Sequence, residues 1–387
     1  MTAQGQERSL TIHNVTPHFY PEIGGLEESV RRFGGWLVRR GHRVVVHSSS
    51  LSTSGTSLPA GGSIDGIEIR RYAPSRNRGY FRTWFQPDLS GAQLLHLHGY
   101  AVRTNDRVVR TLGDRQIVFS LHHGVRMPHT APLTWFLRRG YDVFVGVPTL
   151  RRVRCIVVPS PGDRAWLTAH RVPAERVRIL PTPLLEDAFD AGDPAWARER
   201  IGTTPFVLYL GRLHSEKGVD DLLETVPYLP TKVRLAFAGP DAGRLETLRK
   251  RARELKITDR VLFLGVVTEA QKRSLLAACT ALALPSLFEA QGLAVLEAWA
   301  QGRPVIASDV GALSELVVPG ETGILVPHAD VPSLASGLRE LLEHPERGDK
   351  MGRRGQAFVQ QFRLEKLGLA LESIYREVAA ALMPHRF

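Results

Sequence analysis

The stretch FVLYLGRLHSEKG, residues 206–218, holds the logic of the whole fold. It opens as a short, continuous apolar run, the pattern of a strand buried on both faces of a parallel sheet. GRLHSEKG (211–218) then forms a loop with glycine at both ends and leads into a helical segment at 219–229. Strand, loop and helix in this order build open parallel sheets, whose ligands bind in the loops beyond the strands. Arg212 and Lys217 lie five apart in this loop, ahead of a helix start. A phosphate-bearing ligand needs backbone N–H groups, the positive end of a helix dipole and cations, and all three meet here. The GxxxxGK[ST] pattern of a P-loop is absent, so this is not that nucleotide site. Taken alone, the loop also fits a solvated turn with ordinary charges.

Working outward, the same unit recurs. VRLAFAG (233–239), RVLFLG (260–265), TALALPS (280–286) and PVIASD (304–309) read as strands, separated by helical segments at 243–256, 268–279 and 291–301. Upstream, LTIHNV (10–15), RVVVHS (43–48), LLHLH (94–98), IVFSLH (117–122) and CIVVPS (155–160) repeat the pattern. Leu26, Val30, Phe33 and Leu37 share one helical face, and Gly41 stops that helix. The expected fold class is α/β: two Rossmann-like, doubly wound parallel-sheet domains facing a cleft. PTPLLEDAFDAGDP (181–194), rich in Pro, Asp and Ala, divides them. The expected domains are 1–184, 185–363 and a C-terminal helix in 364–387 that packs back on the first domain.

Length agrees, because 387 residues exceed one ordinary core of about 100–200 residues. No apolar run reaches the roughly 18 residues of a membrane span, and MTAQGQERSLTIHNV does not read as a signal peptide. Cys155 and Cys279 sit far apart in apolar runs, which suits buried thiols in a reducing cytoplasm rather than a disulfide. The charge is uneven: residues 1–185 hold 25 Arg, no Lys and 12 Asp+Glu, whereas residues 186–387 are close to neutral at −2. Such a field favours an anionic partner, either a phosphorylated acceptor or an anionic membrane face touched peripherally. An ordinary basic, solvated face explains the count equally well. Zinc-finger spacing and RNP-like aromatic motifs are missing, which argues against nucleic acid.

Other strand ends carry candidate residues. PEIGGLEES (21–29) places Gly24 and Gly25 before a helix, where backbone can approach a ligand closely or simply turn. HLHGY (96–100) and SLHHG (120–124) put His98, His122 and His123 at strand ends. No carboxylate or thiol accompanies them at ligand spacing, so hydrogen bonding or acid/base work is expected rather than a metal. In SLFEAQGLAVLEAWAQG (286–302), Glu289 follows a strand, Gly292 and Leu293 open a helix, and Glu297 sits within its apolar run. A carboxylate there costs several kcal/mol unless it is paired or hydrogen-bonded. A ribose diol offers it two hydrogen bonds, and a structural cation is the plainer partner. Few local residues supply one.

The last segment resembles the E-x7-E region of the retaining family-four glycosyltransferases of the GT-B fold. GRLHSEKG is similar to that family's G-R-L-x-x-E-K-G, and PEIGG with RRGHRVVVHS to its N-terminal glycine loop and second strand. IVVPS, RVPAERVRIL and ELVVPGETGILVP (315–327) follow the pattern in the same order, so the resemblance spans nearly the whole chain.

The resemblance implies a metal-independent retaining transfer of a hexose-type sugar from a nucleotide-diphospho-sugar, a co-substrate rather than a cofactor, to a hydroxyl acceptor. It implies that Arg212 and Lys217 hold the diphosphate, Glu297 the ribose hydroxyls and Glu289 the donor sugar. Gly292 and Leu293 would meet the donor through backbone amides, and Gly24 and Gly25 would let the first domain approach it. His122 would act near the sugar, with His98 and His123 on the acceptor side. Two positions depart from the family pattern: Thr182-Pro183 replaces Asn-Gly, and Gln291 replaces an aromatic residue. A nucleotide-sugar epimerase, a phosphorylase-like enzyme or a non-catalytic nucleotide-sugar binder are the alternatives on this fold. Acid/base carboxylates in the N-terminal loops and a cofactor lysine, the signs of the first two, do not stand out.

Overall fold

The computed structural model describes residues 9–22, 24–53, 55–75, 83–113, 116–122 and 132–380, with residues 132–134 described by backbone alone. The chain divides into two compact units: Met1–Pro183 with Leu364–Phe387, and Leu184–Arg363.

The first unit is built on β1 (Thr11–Val15), β2 (Arg43–Ser49), β3 (Gly61–Ile64), β4 (Ile67–Tyr72), β5 (Leu94–His98), β6 (Ile117–Ser120), β7 (Cys155–Val158) and β8 (Val177–Ile179). They form one sheet in the order β3-β4-β2-β1-β5-β6-β7-β8. Every pairing is parallel except the β3–β4 hairpin. The central strands are buried on both faces, which is why they read as continuous apolar runs.

The Gly25–Arg39 helix buries Leu26, Val30, Phe33 and Leu37 and ends just before Gly41, whose φ is 88°. Against it packs the Leu364–Ala380 helix, which belongs to the first unit although it follows the second in sequence. Trp36 Nε1 donates to Glu365 Oε2 at 2.7 Å. Gly368 lies so close to the Trp36 ring that a Cβ there would sit 2.5 Å from Cδ2. Glu372 is buried between the two helices, accepting from Arg40 Nε at 3.2 Å and lying 3.1 Å from His42 Nε2.

The second unit contains β9 (Phe206–Leu210), β10 (Arg234–Ala238), β11 (Val261–Gly265), β12 (Ala281–Leu284), β13 (Val305–Ser308) and β14 (Gly323–Val326). Their order is β11-β10-β9-β12-β13-β14, with every pairing parallel. Helices at Val219–Thr225, Leu245–Glu254, Glu269–Ala278 and Leu293–Ala300 connect successive strands.

Strand order locates the sites. In the first unit the order reverses between β1 and β5, and in the second between β9 and β12. At such a switch point the connections leave in opposite directions, so their loops part and open a crevice beyond the carboxyl ends of the strands. The loops after β1 and β5 carry Gly24, Gly25 and, at the β5 terminus, His98. Those after β9 and β12 carry Arg212, Lys217 and Glu289.

Candidate active site

At the switch point of the second unit, three loops are pressed together by glycines. A Cβ on Gly218, whose φ is 65°, would sit 2.0 Å from the Pro285 carbonyl oxygen. A Cβ on Gly239 would sit 2.0 Å from the Gly211 carbonyl oxygen. Only glycine permits both approaches. Leu287 N donates to Glu216 O at 2.8 Å, which ties the β12 loop to the β9 loop.

That seam brings Lys217 to Glu289, with Nζ 2.6 Å from Oε1. Ser286 Oγ donates to the same oxygen at 2.9 Å. Glu289 is held from behind as well, since its carbonyl accepts from Ala312 N at 3.0 Å. Arg212 is exposed, and among the described residues its guanidinium makes no ion pair. Its carbonyl is fixed by the hydroxyl of Tyr209 at 2.8 Å. The site therefore presents one cation neutralised by a carboxylate and a second that is uncommitted, suited to receiving further negative charge.

Gly292, with φ 78°, starts the Leu293–Ala300 helix. The first amides of that helix, Leu293 among them, have no acceptor within it. Glu297 is 9% exposed and has a partner that the sequence did not reveal. Lys272 Nζ, from the Glu269–Ala278 helix, lies 2.6 Å from Glu297 Oε1 and 2.7 Å from Glu269 Oε2. Burial works against the Lys272 charge, but the Glu297 and Glu269 carboxylates outweigh it and raise its pKa. Few residues local in sequence could pair Glu297, and its partner is indeed remote in sequence and adjacent in space, a cation of the kind the sequence left as the plainer alternative.

In the first unit, Gly24 is an extended N-cap and a Cβ on Gly25 would meet nothing within 4 Å. Beside them stands Glu27, a site residue that no sequence motif singles out. It is buried next to Gly24, and burial, with help from Glu22 and Glu28, pushes its carboxyl up to about 7. Its only trace in sequence is its place in the first helical turn, directly after apolar Leu26.

His98, expected on the acceptor side, is enclosed within the first unit. It is 3% exposed, with Nε2 2.8 Å from Asn14 Oδ1 and Nδ1 2.8 Å from His122 Nε2. Asn14 Oδ1 can only accept, so the His98 proton sits on Nε2 and His98 Nδ1 accepts from His122. His122, half-buried, thus carries its own proton on Nε2. The strand is buried on both faces, and the His98 ring lies tilted against that of His96 with centroids 3.9 Å apart. His123 lies outside the described residues. Among the described residues, no group of three or more His, Cys, Asp and Glu is arranged to hold a metal ion.

Burial, reinforced by neighbouring histidines, holds His96 and His98 well below the usual imidazole range. Burial likewise pushes His47 down to about 3. Unfolding releases all three to ordinary values, so below the unfolded pKa the unfolded chain binds more protons. Their contribution is full above about pH 6.5 and is lost as pH falls, by up to about 1.4 kcal/mol per pH unit for each histidine. The raised Glu27 carboxyl works the other way and offsets one histidine's share, so thermal melts from about pH 6.5 down to pH 5 should still show falling stability of the first unit, and a flat profile there contradicts this.

Comparison with known proteins agrees with this geometry. Residues 23–184 match the family model Glycosyltransferase Family 4, and residues 196–358 match Glycosyl transferases group 1. The chain is 33% identical over 223 residues to an alpha-D-kanosaminyltransferase of Streptomyces kanamyceticus, covering 56% of each protein. Like that one, the first curated relatives are matched over about half of their length. A D-inositol 3-phosphate glycosyltransferase of Xylanimonas cellulosilytica is 30% identical over 384 residues, 92% of both chains. In fold, the chain is similar to sucrose-phosphate synthase from Thermosynechococcus elongatus, with a TM-score of 0.80 at 24% identity over 97% of this chain and 100% of that one. Two parallel-sheet α/β units, both family models and a relative matched almost end to end give one conclusion: the chain belongs to glycosyltransferase family four and has the GT-B fold.

Proposed function

We propose that this protein is a metal-independent, retaining glycosyltransferase that moves a hexose-type sugar from a nucleoside-diphosphate sugar to a hydroxyl acceptor. The observation that carries the reading is the Lys217–Glu289 pair at 2.6 Å, set at the switch point beside the uncommitted Arg212. In this reading the donor's diphosphate lies against Arg212, Lys217 and the amides of Gly292 and Leu293. Glu289 meets the sugar hydroxyls and Glu297 the ribose. His122, its proton fixed on Nε2 by His98, stands near the sugar.

The transfer then proceeds on one face of the sugar. The bond from the anomeric carbon to the β-phosphate oxygen breaks with its electron pair leaving on the diphosphate. The acceptor oxygen bonds to the same carbon, and its proton passes to the departing phosphate. Arg212 and Lys217 stabilise the charge that develops there, the role a divalent cation plays elsewhere. The arginine excess of residues 1–185 suits an anionic acceptor, and D-inositol 3-phosphate, in the name of one relative, is an anionic polyol. The same excess would hold the chain at an anionic membrane face from the cytoplasmic side.

A thermal-shift panel of UDP-, GDP-, ADP- and TDP-sugars tests the reading. One donor series should stabilise the protein, and turnover of that donor should survive EDTA. No shift with any donor, or activity lost in EDTA and restored by a divalent ion, contradicts it.

A further inference from the structure

Lys272 is a half-buried cation of the second unit's site that the proposed mechanism leaves without a role. Its ammonium is held 2.6 Å from Glu297 and 2.7 Å from Glu269, with the side chain 16% exposed. Local structure does not require it. The Glu269–Ala278 helix is already capped by Thr268, whose side chain accepts from Gln271 N while the Gln271 side chain accepts from Thr268 N. Nor does stability call for such a pair. Taking both charges out of water costs several kcal/mol per ion, and apolar replacement of buried pairs is often neutral or stabilising. Glu297 stands in LAVLEAWA, where apolar packing was available.

What the arrangement does provide is a donor beside an acceptor. An ammonium has three N–H groups, and two are directed to the carboxylates. Among the described residues the third has no recorded partner. A hydroxyl group both donates and accepts. One that gives its proton to Glu297 can take the remaining N–H of Lys272 on its lone pair.

We propose, resting on the assignment of Glu297 to the donor ribose, that Lys272 is a specificity-determining residue of the ribose subsite. It donates to the ribose 2′-hydroxyl, whose own proton goes to Glu297, so the site takes ribonucleoside diphosphate sugars and rejects 2′-deoxy ones such as thymidine diphosphate sugars. A deoxyribose leaves the Lys272 N–H and one Glu297 lone pair unmatched in a largely buried site, and unpaired polar groups of this kind set strong discrimination.

The test is calorimetric titration of the full chain with UDP, GDP and ADP, each beside its 2′-deoxy counterpart. The wild type should prefer the ribonucleotide by roughly 10- to 100-fold. Lys272→Met should bring that ratio to within about threefold, and Lys272→Arg should keep most of it. A role confined to holding the helices together would weaken both nucleotides alike and leave the ratio unchanged, which overturns the proposal. Equal affinity of the wild type for ribo- and 2′-deoxynucleotides overturns it too, and needs no variant that might misfold. Absence of binding to every nucleoside diphosphate instead fails the assignment of the donor site itself.

Discussion

Replacing Lys217 with methionine is expected to lower kcat/KM by about 100- to 1000-fold, the loss typical of removing one preorganised donor from a developing anion. Lys217 is placed by backbone: the three-residue turn Ser215–Lys217 ends at Gly218, and Leu287 N on Glu216 O fixes that turn to the next loop. Its ammonium is therefore waiting 2.6 Å from Glu289 and need not reorganise when the diphosphate forms. Most of the loss should fall on kcat, because charge on the bridging oxygen grows as the bond breaks. Methionine also leaves Glu289 without its cation, so Lys217→Met combined with Glu289→Gln separates the two effects. If both variants keep wild-type kcat/KM, the phosphate assignment is wrong. Arg212→Met should cost less, since its exposed guanidinium loses more of its field to solvent.

Gly218→Ala should be among the most damaging single-methyl changes in the second unit. Two penalties add: a non-glycine residue at φ 65°, and a Cβ placed 2.0 Å from the Pro285 carbonyl oxygen. The left-handed conformation costs about 1–2 kcal/mol and forced repacking about 1–3 kcal/mol, for a destabilisation of about 2–5 kcal/mol. The obstacle is backbone, so no side chain can swing aside. Relief requires the β9 and β12 loops to part, and parting them separates Lys217 from Glu289. The variant should thus lose melting temperature and donor affinity together. A melting temperature within a degree or so of wild type contradicts the packing described for this seam.

Much of this was legible in sequence for a simple reason: strands covered on both faces have no polar positions to blur them. The strand at 94–98 and its neighbours in the first unit show it. The β3–β4 hairpin was not legible, since Gly61–Ile64 is largely exposed and Ile67–Tyr72 is mixed in burial. β8, three residues long, offers no pattern, and β14 lay inside a stretch noticed only as a motif. Arg212, Lys217, Glu289 and Glu297 stood out because each sits where charge is locally unexpected, after a strand or within an apolar helix. Their partners did not. Lys272 meets Glu297 only because sheet order sets the helices after β11 and β12 side by side, a fact no local window contains. Asn14 meets His98 across neighbouring β1 and β5 for the same reason. The surroundings of His98 were hidden for a related reason: its strand is buried on both faces, so a strand-end position did not reveal the His96, His122 and Asn14 contacts.

The central claim is that the site transfers a sugar with its anomeric configuration kept. Proton NMR of a reaction started with the donor identified by thermal shift tests it most directly, read on the first product formed before any mutarotation. An α-linked donor should yield an α-linked product, its H1–H2 coupling unchanged in class, as nucleoside diphosphate appears in equal amount. A β-linked product, or nucleotide release without a new glycosidic bond, would contradict the account.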